Sequence, residues 1–274
     1  MLEKHEILQK ITVIAKYYQK IMRHFGDVEA FSKLKPLQNS EIDVKKTQKI
    51  EKKPQILVNL TPEKPKKEEK TIANHGIFAE ISNDVAQISS LEDLKNYTQT
   101  KQICDIQKHA TKIVFGDGNP NAKILVIGEA PGQEEDLAGV PFVGRSGELL
   151  MNAFASIKLE RQKNFYITNN IFWRPPGNRK PTDEELLVCK PILNKIIEII
   201  KPEFIICVGS VASQNILEVE DSISSLRQKT LNAKNYTQQI FAVYHPSYLL
   251  RNPSKKYEMY KDLLFIEEKI SLFL

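Results

Sequence analysis

The stretch "KILVIGEAPGQEEDLAGVPFVGRSGELL", residues 123–150, decides the fold of this chain. It begins with a short apolar run rich in isoleucine and valine, which is typical of a buried strand. Five glycines and two prolines then fall between residues 128 and 150, where they allow sharp turns and close approach of the backbone to a ligand. The stretch therefore predicts a buried strand followed by a ligand-facing loop.

Three further apolar runs resemble the first one. They are "NFYITN" (residues 164–169), "FIICVG" (204–209) and "QIFAVYH" (239–245). Helical patterns lie between them, namely "SGELLMNAFASI", "TDEELLVCKPILNKIIEII" with Thr182 as its N-cap, and "SVASQNIL". Alternating strands and helices predict a three-layer α/β/α fold around a central, mainly parallel four-stranded sheet.

Polar or glycine residues stand at the end of every predicted strand. The strands end at Gly128, Asn169, Gly209 and His245. Each residue alone has a structural explanation, such as a turn or a surface position. Ligands of parallel sheets bind outside the carboxyl ends of the strands, so the four residues together predict a binding site.

Charge and periodicity divide the rest of the chain. The net charge is +5, and nine lysines against four glutamates between residues 45 and 70 account for the whole excess. Such a segment is typical of a solvated linker. Apolar residues at spacings of three and four near the start predict an amphipathic helix. We therefore expect this helix over residues 1–25, a mostly disordered lysine-rich linker over 26–89 and a folded domain over 90–274.

Several function classes are disfavoured by what the sequence lacks. Its three cysteines lack the paired spacing of a disulfide framework, and the sequence lacks the pattern of a secretory signal. Both features favour a reducing, cytoplasmic setting. No apolar run approaches the roughly 20 residues of a membrane span. The glycines do not form a nucleotide-binding loop, and neither a C-x-x-C pair nor H-E-x-x-H suggests zinc.

Four motifs carry a resemblance to a known family. "GEAPGQEED", "GVPFVGRSGELL", "YITNNIFWRPPGNRKPTDEE" and "YHPSYLLRNP", in this order, resemble family 4 uracil-DNA glycosylases of the wider uracil-DNA glycosylase superfamily. The likeness extends from about Leu91 to the C-terminus. It implies a DNA repair hydrolase that flips uracil out of DNA, hydrolyses the N-glycosidic bond and leaves an abasic site.

The resemblance implies a role for each pocket residue. Phe142 matches the residue that stacks on the flipped base, and Asn169 matches the amide that pairs with the uracil edge. His245 matches the histidine that donates a hydrogen bond to uracil O2 as the base departs. Ala130 belongs to the uracil-binding loop and stands where some relatives carry an aspartate base.

The sequence leaves open which residue positions the attacking water. Glu129 is the first candidate, with Glu135 and Asp136 nearby. Alternatively, Glu135 occupies the space beside uracil C5 and so excludes the methyl group of thymine.

DNA contacts are expected from loops around the pocket. The candidates are Gly144, Arg145, Ser146, Ser247, Tyr248 and Arg251, with Arg174 and Arg179 as further possibilities.

One departure from the family concerns a cofactor. Many members hold a 4Fe–4S cluster with four cysteines, and the matching positions here are Lys101, Cys104, Trp173 and Cys189. Lysine and tryptophan are not usual cluster ligands. We therefore expect no cluster, with Cys104 and Cys189 as vestiges and the Trp173 ring packed into the vacated space.

Two alternative functions stay open from the sequence. The first is a binding module that recognises uracil or another lesion without cleaving it. The second is an interaction protein that docks a repair or replication protein through its N-terminal helix. The expected partner is uracil-containing DNA, with no membrane, and we expect a monomer.

Overall fold

A computed structural model describes the backbone of residues 66–271 and the side chains from residue 76 onward. The α-helices are α1 (Lys66–Ala86), α2 (Leu91–Thr100), α3 (Gln133–Ala138), α4 (Arg145–Ser156), α5 (Arg161–Asn164), α6 (Asp183–Ile200), α7 (Ser210–Leu217), α8 (Ile223–Leu226), α9 (Pro246–Arg251) and α10 (Lys256–Ile270). The strands are β1 (Asp117–Gly118), β2 (Ile124–Gly128), β3 (Phe165–Asn169), β4 (Phe204–Val208), β5 (Leu231–Ala233) and β6 (Tyr236–Val243). Short 3-10 helices span Asp105–Lys108, Pro176–Asn178 and Pro253–Lys255.

The strands form one sheet in the order β1-β3-β2-β4-β6-β5. The four central strands are mutually parallel, and they are the four that the apolar runs predict. The mainly parallel sheet is thus confirmed. The edge strands β1 and β5 pair antiparallel with their neighbours and were not predicted. They span two and three residues, which is too short for a periodic pattern to be visible.

Helices cover both faces of the sheet, which gives the predicted three layers. Every residue of β2 is buried, and successive side chains point to opposite faces. Leu125 and Ile127 join a core formed with α1, α2, α6 and α7. Ile124 and Val126 join a second core formed with α4 and α10. Within residues 66–271, no helix has the length and apolar content of a membrane span.

Helix α6 begins as its sequence predicts. The Thr182 hydroxyl accepts a hydrogen bond from the Glu185 amide at 3.2 Å, and the Glu185 carboxylate accepts one from the Thr182 amide at 2.9 Å. This reciprocal cap satisfies two backbone donors that the first turn would leave unpaired, and such caps stabilise a helix by about 1 kcal/mol. Thr182 is therefore confirmed as the N-cap.

The folded body extends further toward the N-terminus than expected. Helix α1 lies inside the stretch predicted to be a disordered linker, and its Ile81 and Val85 are buried in the core. Lys195 of α6 donates a hydrogen bond to the Ala86 carbonyl at 3.1 Å. The boundary expected at residue 90 is therefore wrong, because the lysine-rich composition masked a helical apolar stripe. The helix predicted over residues 1–25 and the linker up to residue 65 lie outside the described residues.

Candidate active site

The carboxyl ends of the parallel strands surround a cavity of about 280 Å³. Gly128 at the end of β2 pairs with Asn169 at the end of β3, and His245 follows β6. The predicted site residues that line the cavity are Glu129, Ala130, Glu135, Phe142, Ser146, Asn169, Arg179, His245 and Ser247. The structure thus brings together side chains that lie up to 118 positions apart along the chain, from Glu129 to Ser247.

The DNA-contact candidates are divided by the structure. Gly144 and Arg145 lie in an adjoining groove that shares Glu135 and Ser146 with the cavity. Arg179 lines the cavity and forms an ion pair with Glu185 at 2.6 Å. Three candidates lie outside the cavity wall: Arg251 is exposed at the end of α9, the Tyr248 ring packs against Tyr244, and Arg174 donates a hydrogen bond to Asn178. The cavity wall includes Pro175 and Asn178, which the sequence reasoning missed. Both residues belong to the segment "RPPGNR" of the third family motif, of which only the two arginines were considered as candidates.

Gly128 allows two functional side chains to meet over the backbone. A Cβ atom at this position would lie 2.3 Å from Asn169 Oδ1 and 2.6 Å from Phe142 Cζ. Both distances are far below van der Waals contact, and both neighbours are buried. Glycine is therefore required for the close approach of Asn169 and Phe142.

Asn169 presents an unsatisfied acceptor. Its side chain is 1% exposed, and its Oδ1 atom has no hydrogen-bond partner among the described residues. Leaving a buried acceptor unpaired costs about 1–3 kcal/mol. Because Asn169 lines the cavity, a ligand that donates a hydrogen bond there would recover this free energy.

A second asparagine holds the two strand ends together. The backbone and side-chain amides of Asn170 both donate to the Gly128 carbonyl, at 3.0 and 2.8 Å. Asn215 of α7 donates in turn to Asn170 Oδ1 at 2.6 Å, which fixes the orientation of the Asn170 amide. Neither residue was singled out from the sequence. Together they connect the loop after β2 to the strand that carries Asn169.

Phe142 forms one wall of the cavity. Its ring is 7% exposed, and its centroid lies 6.2 Å from that of His245 with the planes tilted by 38°. Its φ of 53° lies in the left-handed region, which is unusual for a residue with a bulky side chain. Backbone strain of this kind is often found where a side chain is held for function.

Glu135 is a loop anchor as well as a cavity residue. Its two carboxylate oxygens accept hydrogen bonds from the amides of Gly132, Val143 and Gly144, each at 3.1 Å. These bonds tie the start of α3 to the segment around Phe142. The Gly144 amide is thereby engaged, which argues against its predicted use in binding phosphate.

Asp136 does not reach the cavity. It is 3% exposed, and its carboxylate accepts hydrogen bonds from the Thr111 amide at 2.8 Å and the Thr111 hydroxyl at 2.9 Å. It also accepts one from the Lys112 amide at 3.2 Å. The interpretation of Asp136 as a water-holding candidate is therefore wrong. The residue fastens α3 to the loop before β1.

His245 is held as a neutral hydrogen-bond donor. The Ser247 amide donates to Nδ1 at 3.2 Å, and the Ser247 hydroxyl lies 2.8 Å from the same atom. Because Nδ1 accepts, the ring proton lies on Nε2. Burial, reinforced by the charge of Arg251 and opposed by that of Glu135, lowers the pKa of His245 to about 4. The imidazole is therefore uncharged at neutral pH.

Glu129 is the carboxylate least committed to other groups in the cavity wall. Burial raises its pKa, while the positive charge of Lys180 acts in the opposite direction. Unlike Glu135, it makes no side-chain hydrogen bond within the part of the chain that the structure describes. Its carboxylate is thus available to a water molecule.

The four positions that match cluster ligands do not form a cluster site. Lys101 forms ion pairs with Glu80 at 2.5 Å and Asp84 at 3.2 Å. Trp173 is 4% exposed and packs edge-on against Phe172, with ring centroids 6.0 Å apart. Across residues 66–271 there is no group of three or more histidine, cysteine or acidic side chains suited to a metal ion. The residues present therefore do not fit a 4Fe–4S cluster.

Cys104 and Cys189, the two cysteines at the cluster-ligand positions, interact with each other. Interaction with Cys104 and complete burial raise the pKa of Cys189 well above its ordinary value. Burial also raises the pKa of Cys207 on β4. Both buried thiols therefore stay protonated and behave as small apolar side chains.

Comparison with known proteins places this cavity in a family. The sequence model of the uracil DNA glycosylase superfamily matches residues 115–266, which include all the cavity residues. The chain belongs to this superfamily. It is 38% identical over 187 residues to a type-4 uracil-DNA glycosylase of Archaeoglobus fulgidus, covering 66% of this chain and 94% of that relative. A type-4 uracil-DNA glycosylase of Saccharolobus solfataricus is 34% identical over 190 residues, covering 67% of this chain and 88% of the relative.

A third relative shares the same name. A type-4 uracil-DNA glycosylase of Thermotoga maritima is 38% identical over 154 residues, covering 56% of this chain and 79% of the relative. The resemblance to family 4 drawn from the four sequence motifs is thus confirmed.

Proposed function

We propose that the protein is a DNA repair enzyme that removes uracil from DNA by hydrolysing its N-glycosidic bond. The observation that carries the proposal is the unpartnered, buried Oδ1 of Asn169, which lines one cavity with Phe142 and His245. The cavity offers an aromatic face, an amide and a neutral donor. These are the groups needed to stack a flipped base, pair with its edge and stabilise it as it leaves.

Base recognition rests on Asn169 and Phe142. The Asn169 amide accepts from uracil N3–H through Oδ1 and donates to uracil O4 through Nδ2. Cytosine carries an acceptor at N3 and a donor at C4. Its acceptor would therefore face the acceptor Oδ1 of the amide, and its donor would face the donor Nδ2. Sites that hydrogen-bond their substrate discriminate strongly because a mismatch leaves buried groups unpaired. Stacking of the base on Phe142 contributes about 1–3 kcal/mol more to binding.

Bond cleavage requires stabilisation of the departing base. The electron pair of the C1′–N1 bond moves to uracil, and negative charge spreads onto O2. His245 donates Nε2–H to this oxygen while its Nδ1 stays fixed by Ser247. A preorganised donor of this kind lowers a barrier by about 3–4 kcal/mol. Water adds its oxygen to C1′, and its proton balances the charge of the uracil anion.

Glu129 is proposed to hold the attacking water. It is the cavity carboxylate whose oxygens are not occupied by backbone amides, in contrast with Glu135. If the sugar reaches an oxocarbenium-like state before water adds, orientation of the water matters more than the strength of the base. Glu129 therefore contributes less to the rate than His245 does.

DNA binding is proposed to involve the groove beside the cavity. Arg145 and Ser146 stand in the first turn of α4, and Ser146 lines both the cavity and the adjoining groove. Amides of a helix N-terminus attract phosphate. Arg251 follows one turn after Ser247 on α9 and supplies positive charge near His245. Uracil-containing DNA is thus the proposed partner.

We further propose that the enzyme works without an iron–sulfur cluster. A cluster bound by four cysteines would cross-link the segments that carry them. Here the Lys101 ion pairs with Glu80 and Asp84 connect α1 to the end of α2, and the buried Trp173 ring packs against Phe172. Iron and sulfide analysis of anaerobically purified protein tests this. We expect well below one iron per chain, and about four irons with four sulfides would contradict it.

The cytoplasm is the proposed compartment. The three cysteines all lie in the described part of the chain and are free thiols there, which is typical of a reducing environment. Fractionation of the native host followed by immunodetection tests the proposal. We expect the protein in the cytoplasmic fraction, and recovery from an exported fraction would contradict it.

The enzymatic proposal is tested with an oligonucleotide that carries one U:G mismatch. Alkali cleaves the strand where uracil has been removed, and we expect this cleavage with the wild-type protein. Asn169→Ala and His245→Ala should reduce it strongly. Asn121→Ala and His109→Ala change the same residue types at exposed positions outside the cavity and should leave it unchanged. Tight binding of the uracil strand without cleavage would instead support a lesion-binding module.

A further inference from the structure

Arg161 binds the backbone on which the Phe142 ring is mounted. Its guanidinium donates from Nη2 to the Phe142 carbonyl at 2.8 Å and from Nη1 to the Pro141 carbonyl at 2.9 Å. Its side chain is 15% exposed. Arg161 does not line the cavity, so it can affect a ligand there only through other residues.

The sheet edge anchors this arginine. Nη1 of Arg161 forms an ion pair with Asp117 at 3.1 Å, and Asp117 lies on β1, which pairs with β3. Gln162 donates to the same carboxylate at 3.3 Å. A continuous path of hydrogen bonds therefore runs from the rigid sheet through Asp117 and Arg161 to the carbonyl of Phe142.

The segment around Phe142 needs such an anchor. The φ of Phe142 is 53°, in the left-handed region, where an aromatic residue is strained. The first turn of α4 lies directly against it, because a Cβ atom at Gly147 would be 2.1 Å from the Phe142 carbonyl carbon. Relaxation of this strain would rotate the ring away from its place opposite His245.

We propose that Arg161 is a positioning residue for base stacking, which holds Phe142 in its strained conformation by binding the carbonyls of Pro141 and Phe142. The inference rests on the proposed uracil-excision function. A lysine cannot replace Arg161, because a single ammonium group does not match the fork that serves two carbonyls and a carboxylate. This separates positioning from a simple need for positive charge.

The test is a double-mutant cycle between Arg161 and Phe142, read as kcat/KM on the U:G oligonucleotide. We expect Arg161→Gln to lower kcat/KM by about tenfold when Phe142 is present, mainly through a higher KM. Phe142→Ala alone should lower it by about 10- to 100-fold. In the Phe142→Ala background, Arg161→Gln should have little further effect. Arg161→Lys should behave like Arg161→Gln.

Lys195→Gln is the matched control. Lys195 is also a buried cation that donates to a backbone carbonyl, that of Ala86, and forms an ion pair with Glu198 at 2.8 Å. It does not line the cavity, and it lies on α6 where that helix faces α1. We expect this variant to lower thermal stability while leaving kcat/KM unchanged below the unfolding temperature.

Hydrogen exchange gives a readout that does not depend on activity. The amides of Val143 and Gly144 donate to Glu135 in the wild-type chain and should be protected. We expect Arg161→Gln to accelerate their exchange by about tenfold and Lys195→Gln to leave it unchanged. Unchanged exchange in Arg161→Gln, or additive effects of Arg161→Gln and Phe142→Ala on kcat/KM, would overturn the positioning role. An inactive wild-type protein would instead overturn the function on which it rests.

Discussion

Substitution of Gly128 by alanine tests whether the break after β2 serves close approach. The new Cβ atom would lie 2.3 Å from Asn169 Oδ1 and 2.6 Å from Phe142 Cζ, about 1 Å inside normal contact. Gly128 itself is fixed by pairing with β3. The amide and the ring must therefore move, and they are the two groups assigned to base recognition.

The expected loss follows from the interactions that these groups make with uracil. Stacking contributes about 1–3 kcal/mol, and each hydrogen bond of the amide contributes about 1 kcal/mol. Together they amount to about 3–5 kcal/mol. At about 1.4 kcal/mol for each factor of ten, Gly128→Ala should lower kcat/KM by roughly 10²- to 4 × 10³-fold. Overpacking should also lower the free energy of unfolding by about 1–3 kcal/mol.

Steady-state kinetics on the single-uracil oligonucleotide provide the assay, below the unfolding temperature of each variant as followed by circular dichroism. Gly76→Ala is the control, because a Cβ atom there meets no atom within 4 Å. We expect Gly76→Ala to match the wild-type kcat/KM. A folded Gly128→Ala protein within about threefold of wild type would refute the argument from close approach.

Three other perturbations have defined outcomes. The pKa of His245 is lowered to about 4 in the folded state, against 6.5 as its ordinary value, so unfolding takes up a proton between these values and stability falls with acidity. Urea titrations should show about 2 kcal/mol less stability at pH 5 than at pH 8 from this group. His245→Gln should remove this difference in stability, and His109→Gln should keep it. An equal change in stability between pH 5 and pH 8 in both variants would contradict the assignment of the effect to His245. Glu129→Gln should lower kcat less than His245→Ala does, as measured by single-turnover kinetics. The reverse order would contradict the proposed mechanism. Trp173→Ala should cost about 3–5 kcal/mol of stability in thermal unfolding while leaving activity at low temperature unchanged, and a loss of activity without loss of stability would contradict its packing role.

The central sheet was predictable because burial on both faces leaves a clear mark in the sequence. β2, β3 and β4 are buried along their whole length, and β6 is buried over residues 240–243, so each of the four parallel strands contains a short apolar run. Thr182 marks the start of α6 with a capping pattern. The edge strands lack such a mark. β1 consists of Asp117 and Gly118 alone, and its pairing with β3 depends on tertiary contacts rather than on local preference.

The site could be predicted as a set of residues but not as a network. Polar residues at the strand ends indicated Asn169 and His245, since packing alone does not require them there. The partners of these residues were hidden because they come from elements distant in sequence. Asn215, which lies 45 residues from its partner Asn170, and Arg161, which holds Phe142, belong to this class. Their side chains have no local pattern that distinguishes them from surface residues.

The extent of the domain was misjudged for a compositional reason. Lysines and glutamates dominate the segment before residue 76, and such composition is typical of disorder. The apolar positions Ile77, Ile81 and Val85 recur every four residues on α1 and contact the core. Burial of such a stripe can order a helix whose exposed face is highly charged.

Direct identification of the released base tests the central claim. Oligonucleotides that carry uracil, cytosine or thymine at one position are incubated with the protein, and the small-molecule fraction is analysed by mass spectrometry. The account predicts free uracil from the uracil strand, in amounts equal to the abasic sites formed, and no free base from the other two strands. It also predicts no detectable uracil release with Asn169→Ala and His245→Ala combined. Retention of uracil by a protein that binds the strand, or equal release of cytosine, would contradict it.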